Sequence, residues 1–166
     1  MTFSGDVVHQ HGSEQFRCGL ASFVDGPRQM YAVFDTSTLI SALRSSAGAS
    51  YAVLQAIRAK RIKIALSVAL ALEYEDVATR PGVVPALDAW SVGVVVDVLC
   101  ALAVQQKVYF SWRPYLIDPG DDMVLEVALA AGTPYIITNN LRHFSGCESL
   151  GIRAVTPAEA LKLIRP

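Results

Sequence analysis

The sequence predicts an α/β fold, a parallel β-sheet covered by helices, and three observations carry that expectation. From Met30 onward, short apolar runs of strand length alternate with runs of helical period, the pattern of parallel strands joined through crossover helices. The strand-like runs, Met30 to Phe34 first among them, are apolar on consecutive residues, as strands buried on both faces are. Of 166 residues, 52% are hydrophobic and 17% charged, which excludes a disordered chain and suffices for the core of one domain.

Each element follows from local chemistry. Tyr31 to Phe34 is the first strand; Thr38 to Ser45 and Tyr51 to Lys60 read as helices, and Ile62 to Leu66 as the next strand. Val68 to Thr79 is a third helix, stopped by Arg80-Pro81-Gly82. Pro85 to Val104 is a long helix weakened by its valines, whose branched side chains lose rotamer freedom against the preceding turn. Lys107 to Ser111 is expected as a strand. Asp118-Pro119-Gly120 forms a turn before a helix from Asp121 to Ala131, apolar at Val124, Val127, Ala128 and Ala131 and stopped by Gly132. Tyr135 to Thr138 and Gly151 to Val155 complete the strands, and Pro157 to Ile164 is a closing helix with proline in its first turn. Met1 to Gln29 shows neither period and reads as a flexible extension to a single domain spanning 30–166, with Met30 a candidate alternative start of translation.

Composition narrows the function classes. Fourteen Lys and Arg against 15 acids give no global basic charge, so nucleic-acid binding would need a local patch. The cysteines Cys18, Cys100 and Cys147 are odd in number and far apart, which fits free thiols in a reducing cytoplasm. The N-terminus lacks a basic start followed by an apolar core, and the longest apolar stretch, Ala89 to Val104, contains Asp97; neither secretion nor membrane insertion is expected. The high apolar content leaves surface for a partner, including a homodimer or higher oligomer. His9, His11 and His143 have no zinc-ligand spacing with the cysteines, and neither a glycine-rich phosphate loop nor a nucleophile elbow occurs. His143 reads as a structural residue of the turn Leu141-Arg142-His143-Phe144, and Trp90 and Trp112 as core or partner contacts.

Chemistry concentrates where strands meet helices. Asp35, Thr36 and Ser37 follow one strand, and Thr138, Asn139 and Asn140 end another; ligands of open α/β sheets sit beyond those carboxyl ends. Asp121 and Asp122 start a helix, where capping, dipole compensation and a metal role all fit. Glu73, with Leu70 and Leu72 before it and Val77 after it, is the acid nearest the apolar stripe of its helix, whereas Glu75 and Asp76 fall on the solvated side. Carboxylates gathered at one edge repel by roughly 3 kcal/mol per pair at about 5 Å and an effective dielectric near 20. A divalent cation is the expected counter-charge.

These residues resemble the PIN domain family, and within it the bacterial PIN proteins regarded as toxin components of toxin–antitoxin systems. The resemblance rests on Val33-Phe34-Asp35-Thr36-Ser37 through Leu43, Leu70 to Val77 with Arg80-Pro81 after it, Asp118-Pro119-Gly120-Asp121-Asp122, and Tyr135 to Phe144, and covers nearly everything after Met30. It implies a three-layer α/β/α sandwich with a central, mainly parallel sheet of four to five strands, and a Mg²⁺- or Mn²⁺-dependent endoribonuclease that hydrolyses single-stranded RNA. The positions that match the family's catalytic set are Asp35, Glu73, Asp121 and Asn140, with Thr36, Ser37, Asp122 and Thr138 supporting and Asp35, Glu73, Asp121 and Asp122 as metal ligands. Asn140 stands where many members have Asp, and Ser37 where Asn is common; an amide brings an oxygen without charge.

As a toxin the protein would have an antitoxin partner covering the acidic cleft. For the RNA, the densest basic run is Arg58, Lys60, Arg61 and Lys63, followed by Arg142 near the proposed site, although such a run also suits a solvated face. The rival from another class is a non-catalytic PIN-fold module that binds RNA or protein and keeps a degenerate acidic site, a view that Asn140 favours. A phosphoacceptor domain using Asp35 would need a second Asp or a placed Lys that Thr36-Ser37 does not supply.

Overall fold

The computed structural model describes residues 29–109 and 113–165. Apart from Gln29, the expected N-terminal extension lies outside the described residues, as does Trp112. The first strand, β1 (Met30–Phe34), is followed by α1 (Thr36–Arg44), α2 (Ala49–Arg58), β2 (Ile62–Leu66), α3 (Val68–Thr79), α4 (Ala89–Leu102) and β3 (Val104–Gln105). After these come α5 (Pro119–Ala131), β4 (Tyr135–Ile137), two 3₁₀ turns at Leu141–Phe144 and Cys147–Leu150, β5 (Arg153–Val155) and α6 (Pro157–Leu163).

The strands pair in the order β3-β2-β1-β4-β5, every pair parallel, which realises the five-stranded version of the expected sheet. The chain steps outward from β1 through β2 to β3, then returns to the other side of β1 for β4 and β5. With right-handed crossovers, that reversal carries α5 to the face opposite α1 to α4 and produces a three-layer sandwich. Its core is the sheet itself: Ala32, Val33 and Phe34 of β1 and Ile64, Ala65 and Leu66 of β2 have no exposed surface. Helix α5 presses Val124, Leu125, Val127 and Ala128 onto β1, β2 and β4 and ends at Gly132, whose φ of 60° is the left-handed conformation glycine takes without a Cβ clash. The reversal also makes the carboxyl ends of β1 and β4 neighbours, the switch point where such sheets bind ligands.

Two expectations are corrected. The strand foreseen at Lys107 to Ser111 lies earlier, at Val104–Gln105, directly after α4, and 106–109 has no regular structure. Pairing decides this, because β2 offers Ala65 and Leu66 as partners to Val104 and Gln105. In α3 the buried stripe is Leu70, Tyr74 and Ala78, four residues apart, whereas Leu72 is 62% exposed. Trp90 does not serve the core: with Val94 and Val98 it forms an exposed apolar row along α4. Among the described residues no helix is long and apolar enough to cross a membrane, and Cys100 and Cys147 are free thiols.

The α3 stripe predicts a sharp contrast in urea unfolding. Leu70→Ala should lose about 2–5 kcal/mol by opening a cavity, and Leu72→Ala less than about 0.5 kcal/mol. Equal losses would contradict the orientation of the helix.

Candidate active site

Asp35 follows β1 directly, and its backbone N–H donates to Ile137 O at 3.0 Å, extending the ladder to β4 by one residue. It occupies the N-cap position of α1, yet its carboxylate makes no capping bond. Oδ2 instead accepts from Ser37 Oγ at 2.5 Å and from Thr138 Oγ1 at 2.8 Å, one hydroxyl from the following helix and one from the end of β4. Asp35 is only 4% exposed, so its charge depends on these donors in place of water. Thr138 Oγ1 also accepts from the Asn140 N–H at 2.9 Å, coupling the turn after β4 to Asp35.

Glu73 reaches the same edge from α3. Thr36 Oγ1 donates to Glu73 Oε1 at 2.9 Å. Burial raises the Glu73 carboxyl above its ordinary value, the Thr36 hydrogen bond opposes that, and the charges of Asp35 and Asp121 push it up further. Asp121, in the first turn of α5, is also raised by burial, lowered by His143, and raised again by Asp35 and Asp118. The couplings place Asp35, Glu73 and Asp121 in one electrostatic neighbourhood, although they arrive from β1, α3 and α5.

The neighbouring aspartates separate. Successive helix residues point about 100° apart. Asp121 Oδ2 faces His143 Nδ1 at 2.9 Å, whereas Asp122, 1% exposed, accepts from the Tyr115 N–H through both oxygens and from the Leu116 N–H at 2.8 Å. With Arg113 donating to both oxygens of Glu126, this pins the chain before α5 onto that helix. Asp122 is thus placed as a loop anchor, away from the role of fourth ligand. Asn139 Nδ2 donates to Ser50 Oγ at 3.3 Å, and Asn140 is exposed beside the site.

The basic residues divide in the same way. Arg58, Lys60, Arg61 and Lys63 lie at the amino ends of β1 and β2, where Arg61 bonds Ile164 O and Lys63 stands over the Tyr31 ring at 5.5 Å. A strand of five residues, ~16 Å, separates them from Asp35. Arg142, exposed in the turn beside His143, is at the same edge as the acids.

Three residues that the sequence analysis left outside the proposed site belong here. His143 pairs with Asp121, and Asp118, Asp121 and His143 each offer a ligand atom within 4.8 Å of one another. Tyr74, next to Glu73 on α3, is wholly buried, and its hydroxyl donates to Phe34 O. Burial, then the charges of Asp35 and Glu73, hold that phenol well above its ordinary range, so it stays a donor. The four-residue spacing of Leu70, Tyr74 and Ala78 was the available signal.

The family model of the PIN domain matches residues 31–142, well over half of the chain, from β1 to the start of the turn that carries His143. The chain belongs to the PIN domain family. No curated protein matches it significantly. PIN domains form a nuclease superfamily, are generally hydrolases and typically use divalent metals. In this PIN domain, Asp35, Glu73 and Asp121 present oxygen donors alone, the set hard cations prefer, and a positive charge would offset the burial and the neighbouring negative charge that raise Glu73 and Asp121; among the described residues the ligand atoms grouped within 4.8 Å are those of Asp118, Asp121 and His143.

The upward shift of Glu73, caused first by burial and then by the charges of Asp35 and Asp121, has a sign that stability measurements can read. A carboxyl raised in the fold disfavours its own ionisation there, so the folded state loses stability as pH climbs from 4.5, the ordinary glutamate value, through the raised one. In EDTA, Glu73→Gln should therefore match wild type at lower pH and unfold at a higher temperature at pH 7. A lower Tm at pH 7 would show that Glu73 is held by more than Thr36.

Proposed function

We propose that the protein is a Mg²⁺- or Mn²⁺-dependent endoribonuclease that hydrolyses phosphodiester bonds of single-stranded RNA. What supports it most directly is that Glu73 and Asp121, each raised first by burial, both feel the charge of Asp35 at the switch between β1 and β4. A cation held by these three supplies a Lewis acid for the phosphate and a water of lowered pKa. The chain's own residues do the rest. Ser37 and Thr138 orient Asp35 through Oδ2, Thr36 orients Glu73, and His143 holds Asp121. Three carboxylates with the neutral Asn140 suit one ion better than two, since a second would lack counter-charge.

Wild-type protein with Mn²⁺ should cleave single-stranded RNA, and Asp35→Asn should lower the rate more than about 100-fold, beyond the 10–100-fold typical of residues that only support a ligand. The toxin role, with an antitoxin over the acidic edge, rests on the likeness to bacterial PIN toxins; induced expression in a bacterial host should arrest growth for wild type and not for Asp35→Asn. Intact RNA across varied substrates, with no cation binding in calorimetry, would leave a non-catalytic RNA- or protein-binding module instead.

For the RNA path, Arg142 is the favoured contact and the Arg58 to Lys63 run a solvated face. Arg142→Ala should weaken binding and reduce the slope of log K against log salt by ~0.7, the value for one phosphate on a single strand. Arg58→Ala and Lys63→Ala should leave the slope unchanged; a change would restore the run as an RNA surface.

A further inference from the structure

The geometry points to Tyr74 as the positioning residue that sets the separation of Asp35 and Glu73, and so the size of cation the pair accepts; this rests on the cation site proposed above. Asp35 moves with the sheet, tied by its N–H to Ile137 and by its carboxylate to Thr138. Glu73 moves with α3. Helix α3 lies against α1, α4 and α5, and its buried Leu70 and Ala78 contribute apolar packing, which is non-directional and tolerates sliding. Two directional bonds remove that freedom. Tyr74 Oη donates to the carbonyl of Phe34, immediately before Asp35, and Thr36, immediately after Asp35, donates to Glu73.

The two bonds are not equivalent once a cation binds. The Thr36 bond occupies a Glu73 oxygen, Oε1, that a cation would compete for, whereas the Tyr74 bond ends on a backbone carbonyl and persists. Tyr74 and Phe34 both have no exposed surface, so no water substitutes for the phenol. Tyr74 touches no substrate in this arrangement; it acts through the carboxylates on either side.

Cation selectivity is the discriminating readout. Mg²⁺ demands near-ideal octahedral geometry at short distance, and Ca²⁺ accepts larger, irregular cages. A loosened frame therefore harms Mg²⁺ and Mn²⁺ more than Ca²⁺. Calorimetric titration of the full chain with each of the three ions is the experiment, comparing wild type, Tyr74→Phe, and Ile57→Val as a destabilised control in α2, which packs on α1, α6 and β2. Tyr74→Phe, which keeps the ring that fills the core, should weaken Mg²⁺ and Mn²⁺ by roughly 10-fold or more and Ca²⁺ by clearly less, while Ile57→Val changes none. Para-aminophenylalanine at position 74, which returns a donor, should recover the wild-type ratio. Equal affinities in wild type and Tyr74→Phe, a uniform loss for all three ions, or no recovery by the amino variant would overturn the role of Tyr74 alone. A wild type that binds none of the ions would remove the cation site itself.

Discussion

A carboxylate nearly sealed from water at the end of β1 dictates how the surrounding edge is built. Asp35 cannot rely on solvent to stabilise its charge, so donors must come from the protein, and they do from two elements: Ser37 on α1 and Thr138 at the end of β4. That requires β1 and β4 to be adjacent and parallel, with their carboxyl ends level. The strand order supplies this because the chain reverses direction across the sheet after β3.

Around that fixed point, two further acids are brought in against electrostatic resistance. Glu73 and Asp121 are raised chiefly by burial, and each feels the charge of Asp35. The fold offsets part of the penalty locally, through Thr36 for Glu73 and His143 for Asp121, and otherwise holds the groups by packing and by backbone bonds remote from their charges. Asp122 and Glu126 add a further constraint: both are buried acids of α5, and their carboxylates fasten the chain preceding that helix, through the Tyr115 and Leu116 N–H groups and through Arg113. A site that is costly without a cation and rigid in its frame is suited to hold one.

Much of this was legible in one dimension because it is periodic or punctuated. The strands of β1 and β2, the extent of α3 and the stop at Gly132 follow from apolar runs and a glycine, and Asp35 and Thr138 stand out as polar residues ending sealed strands. Rotational detail within a helix was less legible. Leu72 looked like part of a stripe that Tyr74 fills, because an aromatic hydroxyl with one good partner can be buried as readily as leucine. Asp121 and Asp122 both read as metal ligands, yet one step along the helix turns a carboxylate from His143 to the Tyr115–Leu116 loop. The basic run from Arg58 to Lys63 is dense in sequence but lies at the amino ends of the strands, a full strand length from the acids.

What the sequence by itself determined is the class of fold, the order of its elements and the chemical types at their junctions, since these depend on local hydrophobic pattern and backbone preference. Only the tertiary structure decided which of those groups meet. The pairing of Thr138 with Asp35, of His143 with Asp121 and of Tyr74 with Phe34 spans 103, 22 and 40 residues. No local periodicity encodes such contacts; they follow from strand order and from how each helix is turned on the sheet, and so do the charge interactions among the acids at that edge.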